Sequence, residues 1–239
     1  MNAGFMPEGL PDFSDGFDVY AGWEITRKGD NSLTPEQNRL LAYGAPLFLY
    51  NDDNVDSLES TAGTDTLKEM LEEWWEVTDR KSALETISWL LNEGQHAGAD
   101  PALTEIRQRG IEAITEEEKA DEDSKIGDAF TIAEFVMGVN ETTEADLPET
   151  VLAWDLVRAV NMARWAFICG YINEDEMWEA IRTTAGIAKE SFNSWEEYGN
   201  SFAVGRGIWR GETDDYETAD EVVGALLNKE DSPWKAIEW

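Results

Sequence analysis

Imidazole and thiol are almost missing from this chain, which has one His, His96, and one Cys, Cys169, in 239 residues. A single Cys excludes an intramolecular disulfide, and one His with one Cys cannot complete a zinc site of those two residue types. Any Ser-His-Asp or Cys-His arrangement would have to run through His96 alone. Basic residues are scarce as well, with 18 Lys and Arg against 51 Asp and Glu and a formal charge of −33. That balance argues against direct binding to DNA, RNA or an anionic membrane, all of which attract cations and repel carboxylates. No long apolar run occurs either. The most apolar stretch, residues 151–171, is broken by Asp155, Arg158 and Arg164, so it reads as a buried helix and not a membrane span. Residues 1–8 lack the basic region and apolar stretch of an export signal. These absences predict a reduced, cytoplasmic protein with no membrane contact and no cofactor: no tightly bound zinc, haem or nucleotide.

What is present describes a folding chain. Hydrophobic residues make up 42% and Trp occurs 11 times, too apolar a content for a disordered acidic polymer. Apolar positions recur at the helical period, as in Leu67, Met70, Leu71, Trp74 and Trp75, then Ala83, Leu84, Ile87, Leu90 and Leu91. Helix starts read from Ser, Thr or Asn with Glu or Gln three residues later, at Thr34, Thr66, Thr115, Thr131, Asn173, Ser194 and Thr218. Gly94 and Gly170 mark stops, and Gly224 fits either a stop or the inside of the last helix. Ala45–Tyr50 is the best candidate for a strand, and residues 51–63 read as a polar loop.

The fold class expected is all-α: a single helical domain over residues 34–239 with a central apolar helix, preceded by an irregular N-terminal arm over residues 1–33. The arm carries five Gly and two Pro and is expected to pack through Phe13, Phe17, Tyr20 and Trp23. The central helix spans residues 151–169, with Trp154, Trp165 and Phe167 largely buried. Asp155 and Arg158, three apart, can pair on it. If that pair is buried, it needs further hydrogen-bond partners.

Seven of the eleven Trp fall in the last ninety residues, in an ordered series of motifs. Trp154, Asp155 and Arg158 come first, then Gly170, Tyr171 and Trp178, then Phe192, Trp195, Glu197, Tyr198 and Gly199. Gly205, Arg206 and Trp209 follow, and Ser232, Pro233, Trp234 and Trp239 close the series. This series resembles the YbeU-like bacterial proteins, the domain-of-unknown-function family numbered 1266. The stretch from Trp75, Asp79 and Arg80 through Trp89 to Gly94 is similar to that family's N-terminal half, so the resemblance covers about residues 70–239. It implies a helical, bacterial, cytoplasmic protein and supplies no activity. The turn Gly94, Gln95, His96 stands where the family would carry Gly-His-Arg, a departure that argues against a functional role for the turn. Physically, the motif residues read mostly as architecture, because Trp stripes are far more often core than cofactor boxes.

No catalytic residue and no metal ligand set emerges. With 51 acids, a pair of carboxylates carries no information about acid–base chemistry. A calcium loop fails at residues 121–127, where Lys125 holds a ligand position and Gly127 comes one place late. A magnesium site drawing oxygens from Glu174, Asp175, Glu176 and Glu179 stays open, whereas the di-iron pattern is absent because no Glu-x-x-His motif occurs. Gly205, Arg206 and Gly207 make too short a phosphate loop. Cys169, ending the apolar helix, reads as buried and inert.

The charge is concentrated in residues 63–150, with 23 acids against 7 bases and a net of −16. Its extreme is Glu116, Glu117 and Glu118 with Asp121, Glu122 and Asp123. The bland reading of that run is a solvated helix end. The functional one is a surface for a basic protein partner, with Trp74 or Trp75 as aromatic anchor, since adjacent Trp cannot both face one side of a helix. Three functions stay open. The first, and the expectation, is a non-catalytic acidic protein-binding module, such as an immunity or inhibitor protein neutralising a basic toxin or nuclease. The second is a small enzyme using carboxylate or metal-assisted chemistry. The third is a generally acidic structural protein whose charge serves solubility alone.

Overall fold

A computed structural model describes Tyr20 and residues 22–239. Among these residues every regular element is helical, and the fold is all-α. The helices in chain order are α1 (Pro35–Leu41), α2 (Ala45–Tyr50), α3 (Thr64–Trp75), α4 (Arg80–Asn92), α5 (His96–Arg109) and α6 (Glu116–Lys119). They continue with α7 (Ile126–Asn140), α8 (Leu152–Ile168), α9 (Glu174–Ser191), α10 (Trp195–Arg210), α11 (Thr213–Asn228) and α12 (Pro233–Ala236). No helix among the described residues is long and apolar enough to cross a membrane.

Helix α8 is buried along residues 153–166 without interruption. It packs against α2, α4, α9 and α10, as an all-round apolar helix must. Trp154 and Trp165, eleven residues apart, fall on one face of it and are buried. Phe167 is only half-buried, against the expectation. Two residues beyond Trp165, it is rotated about 200° around the helix axis, toward the outside.

Helices α10 and α11 form a tight hairpin turned by Gly211 at φ +70°. Their closeness depends on small residues, since a Cβ at Gly199 would stand 2.5 Å from Val223 Cγ1. The chain's end returns to this hairpin. Trp195 stacks on Trp234 with ring centroids 5.0 Å apart, and Trp239 meets Trp195 edge-on at 4.7 Å.

The cap pattern held at Thr34, Thr115, Asn173 and Ser194, each of whose side chains accepts a backbone N–H at its helix start. It failed at Thr66, Thr131 and Thr218, which lie inside α3, α7 and α11. The hydroxyls of Thr131 and Thr218 donate to carbonyls four residues back, Gly127 O at 3.0 Å and Asp214 O at 2.8 Å, the alternative use of a hydroxyl in a helix. Ala45–Tyr50 is a helix and not a strand. Five of its six residues are buried, and a short apolar run with Pro in its first turn serves a fully enclosed helix equally well. Gly94 and Gly170 follow helix ends at positive φ, whereas Gly224 lies within α11.

Of the N-terminal arm, residues 22–33 run without helix or strand. Trp23 stacks on Tyr50 at 6.3 Å and donates to Glu221 Oε2 at 3.1 Å, and Tyr20 is also packed against the core. Phe13 and Phe17 lie outside the described residues.

Candidate functional site

Helix α3 makes no extended contact with another helix. It rests on the body through the buried Leu67 and Leu71 and leaves a cleft of about 1540 Å³ between itself and α4, α8 and α10. Each wall is one face of a helix. Ser82, Glu85, Thr86 and Trp89 supply it from α4, while Ala83, Ile87 and Leu90 on the opposite stripe are buried. Trp154, Arg158 and Trp165 come from α8, and Arg206, Trp209 and Arg210 from α10. These spacings of three, four and seven residues are the helical repeat of a single face.

The floor interleaves guanidinium and aromatic groups. Arg158 Cζ lies 4.6 Å from the Trp154 ring centre, 5.6 Å from Trp75 and 5.9 Å from Trp89. Arg206 Cζ lies 4.4 Å from the Tyr50 ring and 5.6 Å from Trp154. Each is within the range of cation–π attraction. The floor cations have their own counter-charges. Arg158 Nη2 donates to Asp155 Oδ1; Arg206 Nη2 is 2.7 Å from Asp215 Oδ1, and Arg210 Nε is 3.5 Å from Asp215 Oδ2.

Behind the floor, Asp155 is wholly buried and collects four donors. Oδ1 takes Gln95 N at 3.0 Å and Arg158; Oδ2 takes His96 N at 2.8 Å and faces His96 Nδ1 at 2.8 Å. Burial pushes the Asp155 carboxyl up, and the His96 hydrogen bond, Arg158 and the two N–H groups outweigh it, leaving it below its ordinary value. The same hydrogen bond raises the imidazole of His96 above its ordinary value, against partial burial and the charge of Arg158. The turn that delivers these donors needs Gly94, which sits at φ +51°. A Cβ there would be 2.4 Å from the Asp155 carboxyl. The turn set aside on sequence grounds is therefore what completes the Asp155–Arg158 pair.

The mouth is acidic. Glu69, Glu73 and Glu76 line it, exposed, and form no ion pair among the described residues. Glu85 stands 3.6 Å from Lys81, both at the surface.

Both Trp74 and Trp75 line this cleft, one from within and one from its edge. Trp75 is the last helical residue before a left-handed Glu76 and reaches inward to Arg158, while Trp74 stays at the edge, 76% exposed. The acidic run does not join them. None of Glu116, Glu117, Glu118, Asp121, Glu122 or Asp123 lines the cleft. Glu118 is committed to Arg109, at 2.6 Å, and to the α6 cap; Arg109 first and then Thr115 hold its carboxyl down at about 2. Glu116 pairs with Lys119 at 2.8 Å.

The C-terminal motif residues divide. Tyr171, Trp195, Glu197 and Trp234 are architectural: Trp234 Nε1 donates to Ala42 O at 2.8 Å, and Glu197 accepts from Asn193 N at 2.8 Å. Trp154, Arg158, Arg206 and Trp209 form the cleft floor. Trp89, Tyr50, Arg210, Glu69 and Glu73 were missed on sequence, although the α4 face of Ser82, Glu85, Thr86 and Trp89 was legible as the complement of the apolar stripe. Among the described residues no group of three or more His, Cys, Asp or Glu is placed to hold a metal.

Residues 70–239 match the family described as Protein of unknown function (DUF1266). The chain belongs to this family. The matched region contains α4 and the floor residues of α8 and α10, while Tyr50 and the start of α3 precede it. No curated protein and no solved structure matches the chain.

Proposed function

We propose that this DUF1266 chain is a non-catalytic protein-binding module that takes a basic segment of a protein partner into the cleft between α3 and the helical body. One observation carries the reading. Four large hydrophobic side chains are exposed among the described residues, and three of them, Trp74, Trp89 and Trp209, line this single cleft; the fourth is Val139. Exposed aromatic clusters of this kind mark interaction surfaces, and Trp is a preferred anchor residue. The four Glu at the mouth supply the complementary charge for Lys or Arg. The tryptophan faces already accommodate one guanidinium, that of Arg158. A volume of about 1540 Å³ exceeds the roughly 300–1,000 Å³ usual for small molecules and suits a polypeptide segment. An immunity or inhibitor protein of a YbeU-like kind that masks a basic toxin or nuclease in the bacterial cytoplasm fits this chemistry, although the family itself supplies no activity.

The test is titration with a synthetic arginine- and leucine-rich peptide, followed by tryptophan fluorescence at rising salt. Binding is expected to weaken steeply as the Debye length shrinks from about 10 Å at 0.1 M to about 3 Å at 1 M. Replacing Glu69, Glu73 and Glu76 together by Gln should cost roughly tenfold in affinity, about 1.4 kcal/mol. The same replacement at Glu116, Glu117 and Glu118 should change little. Equal losses in the two variants would mean that bulk acidity, and not the cleft, captures the peptide.

A further inference from the structure

Gln95 and Arg158 line the cleft, and both are bound to Asp155, which lies behind them against His96. The floor and the imidazole are thus joined through one carboxylate. We propose that His96 sets the charge of the cleft floor and so gates entry of a basic occupant, an inference that rests on reading the cleft as a site for a basic segment. With a proton on His96, Asp155 is shared between two cations and the cluster carries one net positive charge. Without it, Asp155 and Arg158 cancel. The neutral imidazole still donates through Nδ1, so the hydrogen bond survives and only the charge changes.

Charged groups from several elements surround His96, and each is bound or paired elsewhere or lies at the surface. From α8 it faces Asp155 and Arg158, the first holding four donors and the second enclosed by three tryptophans. From its own helix comes Asp100, which accepts from Thr150 Oγ1 at 2.6 Å and Val151 N at 2.8 Å; burial holds its carboxyl above its ordinary value against those two bonds. Glu93 ends α4 at the surface. From α7, Lys125 approaches the α5 start at Gly98 and is paired with Asp128 at 2.7 Å. Arg206 and Arg210 of α10 belong to Asp215. Imidazole changes charge between about pH 5 and pH 8, and the bond to Asp155 moves the His96 midpoint upward from its ordinary value.

His96 is the only His in the chain, so its imidazole resonances report one site without assignment. The experiment follows them by NMR across about pH 5 to pH 8, with and without the arginine- and leucine-rich peptide. Peptide binding should lower the His96 midpoint, because linkage is reciprocal. Peptide affinity should fall severalfold in wild type as the pH drops through that midpoint, and should lose that step in His96→Gln, which keeps a donor but cannot titrate. A midpoint that ignores bound peptide, or a variant that retains the step, overturns the gate while leaving the cleft reading intact. No binding at any pH overturns both. The midpoint measurement uses wild-type protein and does not depend on the variant folding.

Discussion

Arg164 Nη1 lies 3.0 Å from Asp53 Oδ2, and the pair ties the middle of α8 to the loop that carries the chain into α3. Both side chains are sealed from solvent. Arg164 Nη2 also donates to Glu59 O at 2.6 Å, and Asp53 accepts from Ser60 Oγ at 2.8 Å and Thr61 N at 2.9 Å. Breaking a buried pair from one side strands the other charge. Asp53→Ala should therefore destabilise the fold by about 3–5 kcal/mol in urea unfolding. A loss below about 1 kcal/mol would place the pair in a solvated setting.

Two glycines in long helices should respond oppositely to Ala. At Gly205 the new Cβ would stand 2.7 Å from Trp154 Cβ and 3.0 Å from Val151 Cβ, both anchored in the core. Overpacking there should cost about 1–3 kcal/mol. At Gly186, inside α9, nothing lies within 4 Å of the added atom. Gly186→Ala should stabilise by about 0.5–1 kcal/mol. Thermal unfolding of the two variants checks both signs, and a stabilising Gly205→Ala would mean that α8 and α10 are not in close contact.

The Asp155 cluster should give stability a pH profile with two flanks. His96 is held above its ordinary value, so its contribution is complete below that ordinary value and disappears as pH rises through the raised one. Asp155 is held below its ordinary value. Its contribution is present above the ordinary carboxylate range and is lost as pH falls through the lowered one. The difference in melting temperature between wild type and His96→Gln should accordingly be largest at mildly acidic pH and narrow above about pH 8. A difference that grows with rising pH would reverse the assignment of His96 as a proton-stabilised partner.

Cys169 should react slowly with thiol reagents at neutral pH. Its side chain is buried at the C-terminal end of α8, and burial pushes its thiol up, with Lys68 opposing weakly. Labelling that becomes fast only in denaturant is the expected pattern. Rapid labelling of folded protein would show the α8 end to be open.

The sequence by itself determined the helical class, the buried course of α8, the Asp155–Arg158 pair and the true caps at Thr34, Thr115, Asn173 and Ser194. All of these follow from interactions between residues at most four apart in the chain, where helical geometry dictates which side chains meet. The turn at Gly94 was readable as a helix end for the same reason. Its use as a cradle for Asp155, some sixty residues away, was not. Nor could the acids Glu116, Glu117 and Glu118 be told apart from a partner surface, because the commitment of Glu118 to Arg109 depends on how α5 and α6 are placed. The cleft was decided by tertiary structure alone. Trp74, Trp89 and Trp209 sit on three different helices, and only packing determines which large apolar side chains the core has no room to enclose.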